Sequence, residues 1–410
     1  MQTVGSKNKS VTTLAVSLLF YLAILPAARA QQRTIEELKV EVQARADRNA
    51  YPLEGLKPEE VREALGRLTK LDRDEWAASW SVIGDRYMEK ARAEASSSKE
   101  QASADYVQAW LYYNFGRWPG PLSPGQDQAY GKALQAYLAH TRLLDPPLEV
   151  VHIPFEGKEI IGYLQMPKGV KVAPIVIVIP GLDRRKEDMA ERFRQLLDYG
   201  IGYLAVDAPG AGQAPIKAAP GAERMFSRAI DYVYQRSDVD VKHVMVYGAS
   251  YGGYWSTVLA VTEKGRLCGV VSQSPAVHEF FQRASTLEIP NNREYLFDYL
   301  PAHFKMFGVT NIDQLADIHE KMSLKTRGFL DKPTAPMLVI GGALDSQVPI
   351  ADTDLLLNSG QVPKDAWINP QGGHMGRDAK GWSDARIFKT VTVPWILRTM
   401  AVKADQAAMR

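Results

Sequence analysis

From residue 148 onward, short apolar runs alternate with longer stretches of helical periodicity, and this alternation constrains the fold more than any other feature. The apolar runs are rich in valine and isoleucine and are bounded by glycine, proline or polar residues, as buried strands are. Strands that alternate with helices build a mostly parallel sheet with helices on both faces. The sequence therefore predicts an α/β fold for residues 148–410. The predicted strands are a hairpin at 148–166 and single strands at 175–179, 202–206, 243–247, 269–272, 337–340 and 366–369.

The segments between these strands show the helical spacing of apolar residues at three and four. One segment is much longer than a connecting helix needs to be. Residues 277–331 are mostly helical with loops, and we interpret them as an insertion into the sheet-forming region. The other predicted helices are at 187–199, at 222–235, from 251 onward and at 384–400.

Residues 31–147 differ from the rest of the chain, since they have helical periodicity and almost no strand pattern. This predicts a separate helical domain. Its periodicity is broken between Phe115 and Pro121, where glycines and prolines interrupt the helix and the aromatic side chains need a partner surface. We expect the domain to cover the active site as a lid, with Trp118 lining the substrate pocket.

The first thirty residues have the parts of an export signal. Two lysines precede an apolar run at 11–26, and the pattern Ala28-Arg29-Ala30 that follows is typical of a cleavage site. The mature chain would then begin at Gln31, in the periplasm or outside the cell, with no membrane attachment. The alternative is a membrane anchor, but the run is shorter than the roughly 20 residues that a spanning helix needs.

Charge and composition exclude several kinds of partner. The chain has 49 Lys and Arg against 47 Asp and Glu, a formal net charge of +2, and the two signs are interspersed. Such a distribution gives no basic surface for nucleic acid and is compatible with a small neutral substrate. The histidines and the single cysteine lack the clustered spacing of a metal site, so no metal is predicted.

The motif that carries chemistry is Gly248-Ala249-Ser250-Tyr251-Gly252, which matches G-x-S-x-G. It follows an apolar strand and opens a helical run, which is the strand-turn-helix context of a nucleophile elbow. Glycines beside the serine let strand and helix approach closely. We therefore predict Ser250 as a nucleophile and the N–H of Tyr251 as one oxyanion donor, on an α/β-hydrolase fold.

A serine hydroxyl needs a base to take its proton and an acid to orient that base. On this fold the order along the chain is Ser, then Asp or Glu, then His. Asp345 lies just beyond a buried strand and a glycine turn, and His374 lies in a glycine-flanked loop after the last strand. These residues are the predicted acid and base. The alternative for Asp345 is that it only caps the helix beginning near Pro349.

The second oxyanion donor is expected in the loop at 180–183, after the strand at 175–179. Gly181 permits close backbone approach and would border the substrate, and Leu182 is the predicted donor. His278 and Glu279 follow the strand at 269–272, so either could line the pocket, although neither is assigned a catalytic role.

Three stretches carry a resemblance to a known family. They are residues 180–183 with the following Lys186-Glu187, the elbow at 248–253, and the junction at 144–149 that leads into 153–157. In these the chain resembles the α/β-hydrolases related to 2,6-dihydroxypseudooxynicotine hydrolase, the FrsA-like esterases and the fungal polyketide-shortening hydrolases. The export signal is a departure from the pattern expected of intracellular catabolic members.

The resemblance implies a hydrolase without metal or organic cofactor, a helical domain over the active site, and frequently a homodimer. Some relatives hydrolyse carboxylic esters, whereas others cleave a C–C bond next to a ketone with the help of an additional pocket carboxylate. Glu279 is a candidate counterpart of that carboxylate.

The leading functional hypothesis is hydrolysis of a small-molecule carboxylic ester through an acyl-serine intermediate. C–C hydrolysis of a β-diketone or vinylogous acid would use the same three residues. A serine peptidase of the prolyl-oligopeptidase type shares the elbow, but a helical N-terminal region cannot supply the β-propeller of those enzymes. A non-enzymatic binding protein is disfavoured, because binding alone gives no reason for a strained serine with an acid and a base.

Overall fold

A computed structural model describes residues 33–401 of the protein, together with Gln2, Thr3 and Gly5. Apart from those three positions, the predicted export signal and its cleavage site lie outside the described residues. Within the described part of the chain, no helix combines the length and apolarity that a bilayer crossing requires.

Residues 33–147 form five helices, as their periodicity predicts. Side chains of Thr34, Asp72, Ser98 and Ser123 accept hydrogen bonds from first-turn N–H groups and so begin four of these helices. Their apolar faces are buried against one another and against the rest of the chain. The helices are α1 (Ile35–Asp47), α2 (Pro58–Gly66), α3 (Arg73–Glu94), α4 (Lys99–Gly116) and α5 (Pro124–Thr141).

The rest of the chain is built around an eight-stranded sheet with the order β1-β2-β4-β3-β5-β6-β7-β8. β1 and β2 form the predicted antiparallel hairpin, β2 is antiparallel to β4, and the strands from β4 to β8 are parallel. Every predicted strand is present. The strands are β1 (Glu149–Phe155), β2 (Lys158–Gln165), β3 (Ala173–Ile179), β4 (Gly202–Val206), β5 (Val239–Ala249), β6 (Gly269–Gln273), β7 (Met337–Gly342) and β8 (Asp365–Asn369).

Helices connect these strands and cover the sheet. The most deeply buried is α8, which has no exposed residue from Tyr251 to Ala260 and packs on β5 and β6. The remaining helices are α6 (Lys186–Phe193), α7 (Arg224–Tyr234), α8 (Tyr251–Thr262), α9 (Arg283–Glu288), α10 (Tyr299–Phe307), α11 (Ile312–Met322), α12 (Ile350–Leu357), α13 (Asp384–Ile387) and α14 (Val393–Thr399).

Two predicted helices are interrupted. The helix expected at 187–199 changes after α6 to a 3-10 turn over Arg194–Tyr199. The helix expected at 384–400 contains a π-helical turn, Phe388–Thr392, between α13 and α14. Pro394 lies in the first turn of α14 and has no N–H to continue an α-helical ladder, which accounts for the irregular turn just before it.

The predicted insertion at 277–331 holds α9, α10 and α11, and its first residue is bonded to a residue just after α11. The N–H of Leu324 donates to the carbonyl of Val277 at 2.8 Å. The buried carboxylate of Asp352 accepts four backbone N–H groups, those of residues 277–280, at 2.6 to 3.1 Å. The helical part of the insertion, residues 277–324, therefore begins and ends at fixed points.

The N-terminal helices are tied to this insertion. Arg33 donates to the carbonyls of residues 293, 295 and 296, and Arg45 donates to the carbonyl of Glu294 at 2.8 Å. Arg73 and Asp298 form a two-bond ion pair at 2.7 and 2.9 Å. Residues 33–401 accordingly belong to one compact unit. The predicted domain boundary at 147 stays a prediction.

Candidate active site

Ser250 lies on the sharp turn between β5 and α8, with φ 56° and ψ −117°. This is a strained conformation for a residue with a side chain, and such strain is typical of functional turns. The neighbouring glycines make the turn possible. A Cβ on Gly248 would lie 1.9 Å from the carbonyl oxygen of Gly252, and a Cβ on Gly252 would lie 2.2 Å from that of Ile179.

The structure brings Ser250, His374 and Asp345 into one hydrogen-bonded array. His374 Nε2 lies 3.0 Å from Ser250 Oγ, and His374 Nδ1 lies 2.9 Å from Asp345 Oδ2. The other carboxylate oxygen of Asp345 accepts the N–H groups of Gln347 and Val348 at 2.8 and 2.9 Å, which fixes its orientation. This arrangement can take a proton from the serine and hold it on the imidazole.

Asp345 and His374 shift each other's pKa in opposite directions, which favours the charged form of both. Burial alone would raise the pKa of the Asp345 carboxyl, but the charge and hydrogen bond of His374 outweigh it, and the pKa is lowered. Burial would also lower the pKa of His374, but the charge and hydrogen bond of Asp345 outweigh it, and that pKa is raised. The carboxylate therefore stays ionised and stabilises an imidazolium beside it.

The two expected oxyanion donors lie beside the serine. Leu182 and Tyr251 border a cavity that also touches Ser250. Tyr251 is the first residue of α8, where an N–H has no acceptor within its own helix. Gly181 runs against the elbow, since a Cβ at this position would lie 3.1 Å from both the Ala249 carbonyl oxygen and Ser250 Cβ.

The loop that carries Leu182 ends at a buried charge cluster. Lys186 Nζ lies 3.0 Å from Asp207 Oδ2 and 2.7 Å from Glu187 Oε1, with all three side chains almost fully buried. The Lys186 N–H also donates to Asp207 at 2.9 Å. Burial would lower the pKa of Lys186, but the two carboxylates outweigh it and raise it. The cluster fastens the start of α6 to the end of β4 and so holds the loop at 180–185.

Two cavities meet at Ser250. The first, which we call the polar cavity, is lined in part by charged side chains. The described lining of the second, which we call the apolar cavity, is uncharged and mostly aliphatic or aromatic. Ser250, Tyr295 and Gln347 border both. The polar cavity is also lined by Tyr51, Gly181, Asp183, Arg184, Asp188, Met189, Arg192, Ala249, His374, Met375, Arg377 and Asp384, and the apolar cavity by Leu182, Tyr251, Ala276, Phe280, Tyr299 and Val348.

Trp118 borders neither cavity and lies one side chain behind the polar one. Its Nε1–H donates to Asp183 Oδ2 at 2.9 Å, and its ring lies 5.1 Å from that of Tyr295. Both partners line the polar cavity. The residue expected to line the pocket therefore supports two residues that do.

His278 and Glu279 are not among the residues that line either cavity, which differs from expectation. His278 Nδ1 lies 2.8 Å from Ser323 Oγ, and the Glu279 side chain is about half exposed, at 49%. The position of these two residues follows from Asp352, because its carboxylate binds the backbone N–H groups of residues 277–280 and so fixes the course of the chain there.

Sequence reasoning missed most of the residues that border Ser250's cavities, among them Tyr51, Arg377 and Gln347. Tyr51 comes from the loop after α1; its ring lies 4.1 Å from the Arg377 guanidinium carbon and 5.2 Å from that of Arg184, and its hydroxyl donates to Asp183. Arg377 follows His374 by three residues, and Gln347 follows Asp345 by two. That proximity in sequence was the available signal for the last two.

Among the described residues, no group of three or more His, Cys, Asp or Glu side chains is arranged to hold a metal ion.

A family model described as "Esterase FrsA-like" matches residues 62–371. The chain belongs to the FrsA-like esterase family. This confirms the resemblance noted in the sequence, and it makes the protein a hydrolase, as predicted. Esterase FrsA of Vibrio vulnificus (strain YJ016) is 27% identical over 286 residues, with 68% of each chain covered. The alpha/beta hydrolase ucsC of Acremonium sp is 22% identical over 403 residues, 80% of this chain and 81% of that protein.

Solved structures agree on the architecture. The structure of the 2,6-dihydroxy-pseudo-oxynicotine hydrolase matches with a TM-score of 0.70 at 18% identity. The match covers 90% of the present chain and 96% of the hydrolase chain. AbyA5 wild type has a TM-score of 0.71 at 19% identity, covering 91% and 97%. At such identities the likeness concerns the fold alone, and it confirms the predicted α/β-hydrolase fold.

Proposed function

We propose that the protein hydrolyses a small-molecule carboxylic ester through an acyl-serine intermediate. The observation that carries the proposal is the hydrogen-bonded array of Ser250, His374 and Asp345 on a strained turn between two cavities. The family's description as esterases supports the same reaction.

In the proposed reaction, Ser250 Oγ attacks the ester carbonyl carbon while its proton passes to His374 Nε2. The N–H groups of Tyr251 and Leu182 donate to the oxyanion that forms. The tetrahedral intermediate then collapses, and His374 gives its proton to the departing alkoxide. Water attacks the acyl-serine by the same route and releases the carboxylic acid, which restores Ser250.

A panel of esters, lactones and β-diketones tests the reaction type. We expect esters to be cleaved, with a fluorophosphonate labelling Ser250 in the active enzyme. Cleavage of β-diketones but of no ester would replace the proposal by the C–C alternative. The C–C alternative requires an additional carboxylate in the pocket, and the polar cavity is lined by carboxylates. However, Asp183 already accepts hydrogen bonds from Tyr51 and Trp118, and Glu279 does not line the cavity.

We further propose that the helical region acts as a lid, because it contributes Tyr51 to the polar cavity and supports that cavity through Trp118. Trp118→Phe keeps most of the packing but removes the hydrogen bond to Asp183. We expect KM to rise about 10-fold with kcat within about 2-fold, since the hydrogen bond that holds Asp183 at the cavity is to a charged group and is worth about 1.5 kcal/mol.

The matched control for Trp118 is Trp110→Phe. Trp110 is also buried among the N-terminal helices, but its Nε1 has no partner in the described structure, and its ring packs on Tyr137. Steady-state kinetics of both variants should show a KM change only for Trp118→Phe. If Trp118→Phe lowered the melting temperature and left KM unchanged, the contact would be purely structural.

Export is proposed on the pattern of the first thirty residues. We expect N-terminal sequencing of the protein from its host to begin at Gln31, because a signal peptidase cuts after the small residue of a small-x-small pattern. A product that retains Met1 in the cytoplasm would contradict export. The homodimer and the absence of nucleic-acid and membrane partners likewise stay predictions.

A further inference from the structure

The two cavities at Ser250 differ in chemistry. The polar cavity is lined by six charged side chains, Asp183, Arg184, Asp188, Arg192, Arg377 and Asp384, whereas no described residue around the apolar cavity carries a charge. A site with such unlike halves favours a substrate whose two halves also differ.

The catalytic geometry orients those halves. In the proposed reaction the leaving group must lie next to the imidazole that protonates it, and His374 lines the polar cavity. The acyl group must lie next to the oxyanion donors, and Leu182 and Tyr251 line the apolar cavity. The acyl half is therefore expected in the apolar cavity, beside Phe280 and Tyr299, and the leaving group in the polar one.

Donors for oxygen atoms are present in the polar cavity. The guanidinium groups of Arg377 and Arg192 both approach the same oxygen of Asp384, at 3.5 and 3.4 Å, and Arg377 also lies 3.5 Å from Glu294. These contacts are long for charge-assisted hydrogen bonds, which are usually about 2.7 to 2.9 Å. N–H groups with such weak partners can donate to a substrate.

Gln347 lies where the two cavities meet. The residue is only 8% exposed, and its Nε2 has no hydrogen-bond partner in the described structure. A buried amide donor without a partner costs free energy, so such a group in a native protein calls for an explanation. Its position supplies one, because Gln347 borders both cavities together with Ser250, and an oxygen of a bound substrate can serve as the missing acceptor.

We infer that the substrate is an ester joining a compact apolar or aromatic acyl group to an oxygen-rich leaving group, and that Gln347 Nε2 donates to a substrate oxygen at the junction. This inference rests on the proposed ester hydrolysis. It adds a substrate class, an orientation and a binding residue.

A pair of isomeric esters tests the orientation. Glyceryl monobenzoate has an aromatic acyl group and a polar leaving group, and benzyl glycerate has the same atoms with the two halves exchanged. We expect kcat/KM to be at least about 10-fold higher for glyceryl monobenzoate. Benzyl glycerate would place its hydroxyls in the cavity with the uncharged lining and its aromatic ring among the charged side chains. Equal values or the reverse preference would overturn the inference.

The role of Gln347 is tested with Gln347→Met, which has a similar shape without the donor. We expect kcat/KM for glyceryl monobenzoate to fall about 5- to 10-fold, the effect of one lost hydrogen bond. Because Nε2 has no protein partner, the melting temperature should not fall. Gln361→Met, at an exposed position, is the matched control and should leave both quantities unchanged. Unchanged kcat/KM in Gln347→Met would remove the residue from the substrate site.

p-Nitrophenyl acetate, which favours neither orientation, separates this inference from the proposed function. If the wild-type enzyme cleaves p-nitrophenyl acetate but does not discriminate between the isomers, ester hydrolysis stands and the inference fails. If it cleaves none of the three esters, both fail.

Discussion

Replacing Ser250 by Ala should lower kcat for ester hydrolysis by roughly 10⁴-fold or more, and His374→Ala should have a comparable effect. The reason is that nucleophile and base act as one unit, joined here by a 3.0 Å hydrogen bond. The residual rate of these variants would come from substrate binding and from the oxyanion donors. For the same reason, the double variant should be about as slow as either single variant.

Single-turnover kinetics with a chromogenic ester measure this effect, and calorimetry with a product should show that binding survives. Ser96→Ala is the control, because Ser96 is exposed on the N-terminal helical region. If Ser250→Ala kept more than a few per cent of the wild-type kcat, Ser250 would not be the nucleophile.

Asp345→Asn should lower kcat by about 10³- to 10⁴-fold, since an amide neither fixes the required tautomer of His374 nor stabilises its charged form. It should also move the pH profile. His374 accepts a proton only when neutral, and its pKa is raised above its ordinary value of 6.5. The wild-type kcat/KM should therefore fall as pH drops through a midpoint above 6.5.

The direction of the pH change in the variant follows from the same balance. Without the Asp345 charge, burial becomes the main influence on His374 and lowers its pKa. The acid limb of kcat/KM should then shift to lower pH in Asp345→Asn. Asp354→Asn, at an exposed position, is the control and should change neither kcat nor the midpoint of the fall in kcat/KM at acidic pH. A near-wild-type rate in Asp345→Asn would show that another group orients the base.

The strands and the elbow were predictable because their signals are local. Buried parallel strands need continuous apolar residues, and β3 and β7 have them without interruption. β5 begins four residues before its predicted start. The prediction missed these residues because the first half of the strand is partly exposed and contains Asp240 and Lys242, which interrupt the apolar run. Ser250 was predictable for the same reason, since strand, glycine turn and helix are contiguous.

The lining of the cavities was not predictable, because it depends on segments distant in sequence. Tyr51 reaches Asp183 across 132 positions, and nothing near residue 51 indicates this. Asp183 accepts hydrogen bonds from Tyr51 and Trp118, and Glu187 is buried against Lys186. Burial of these charges follows from the packing of the N-terminal helices, which a local pattern does not contain.

The bonds that close the segment at 277–324 also matter for how such an enzyme changes over evolution. With Val277 bonded to Leu324, and with Asp352 holding residues 277–280, the chain between these points leaves and re-enters the fold at one place. It supplies Tyr295 and Tyr299 to the cavities while none of the sheet strands passes through it. Changes within it, away from the residues at 293–298 that bind the N-terminal helices, can therefore alter which molecules are accepted without displacing the nucleophile. New substrate ranges can then arise by changes in one segment of the chain.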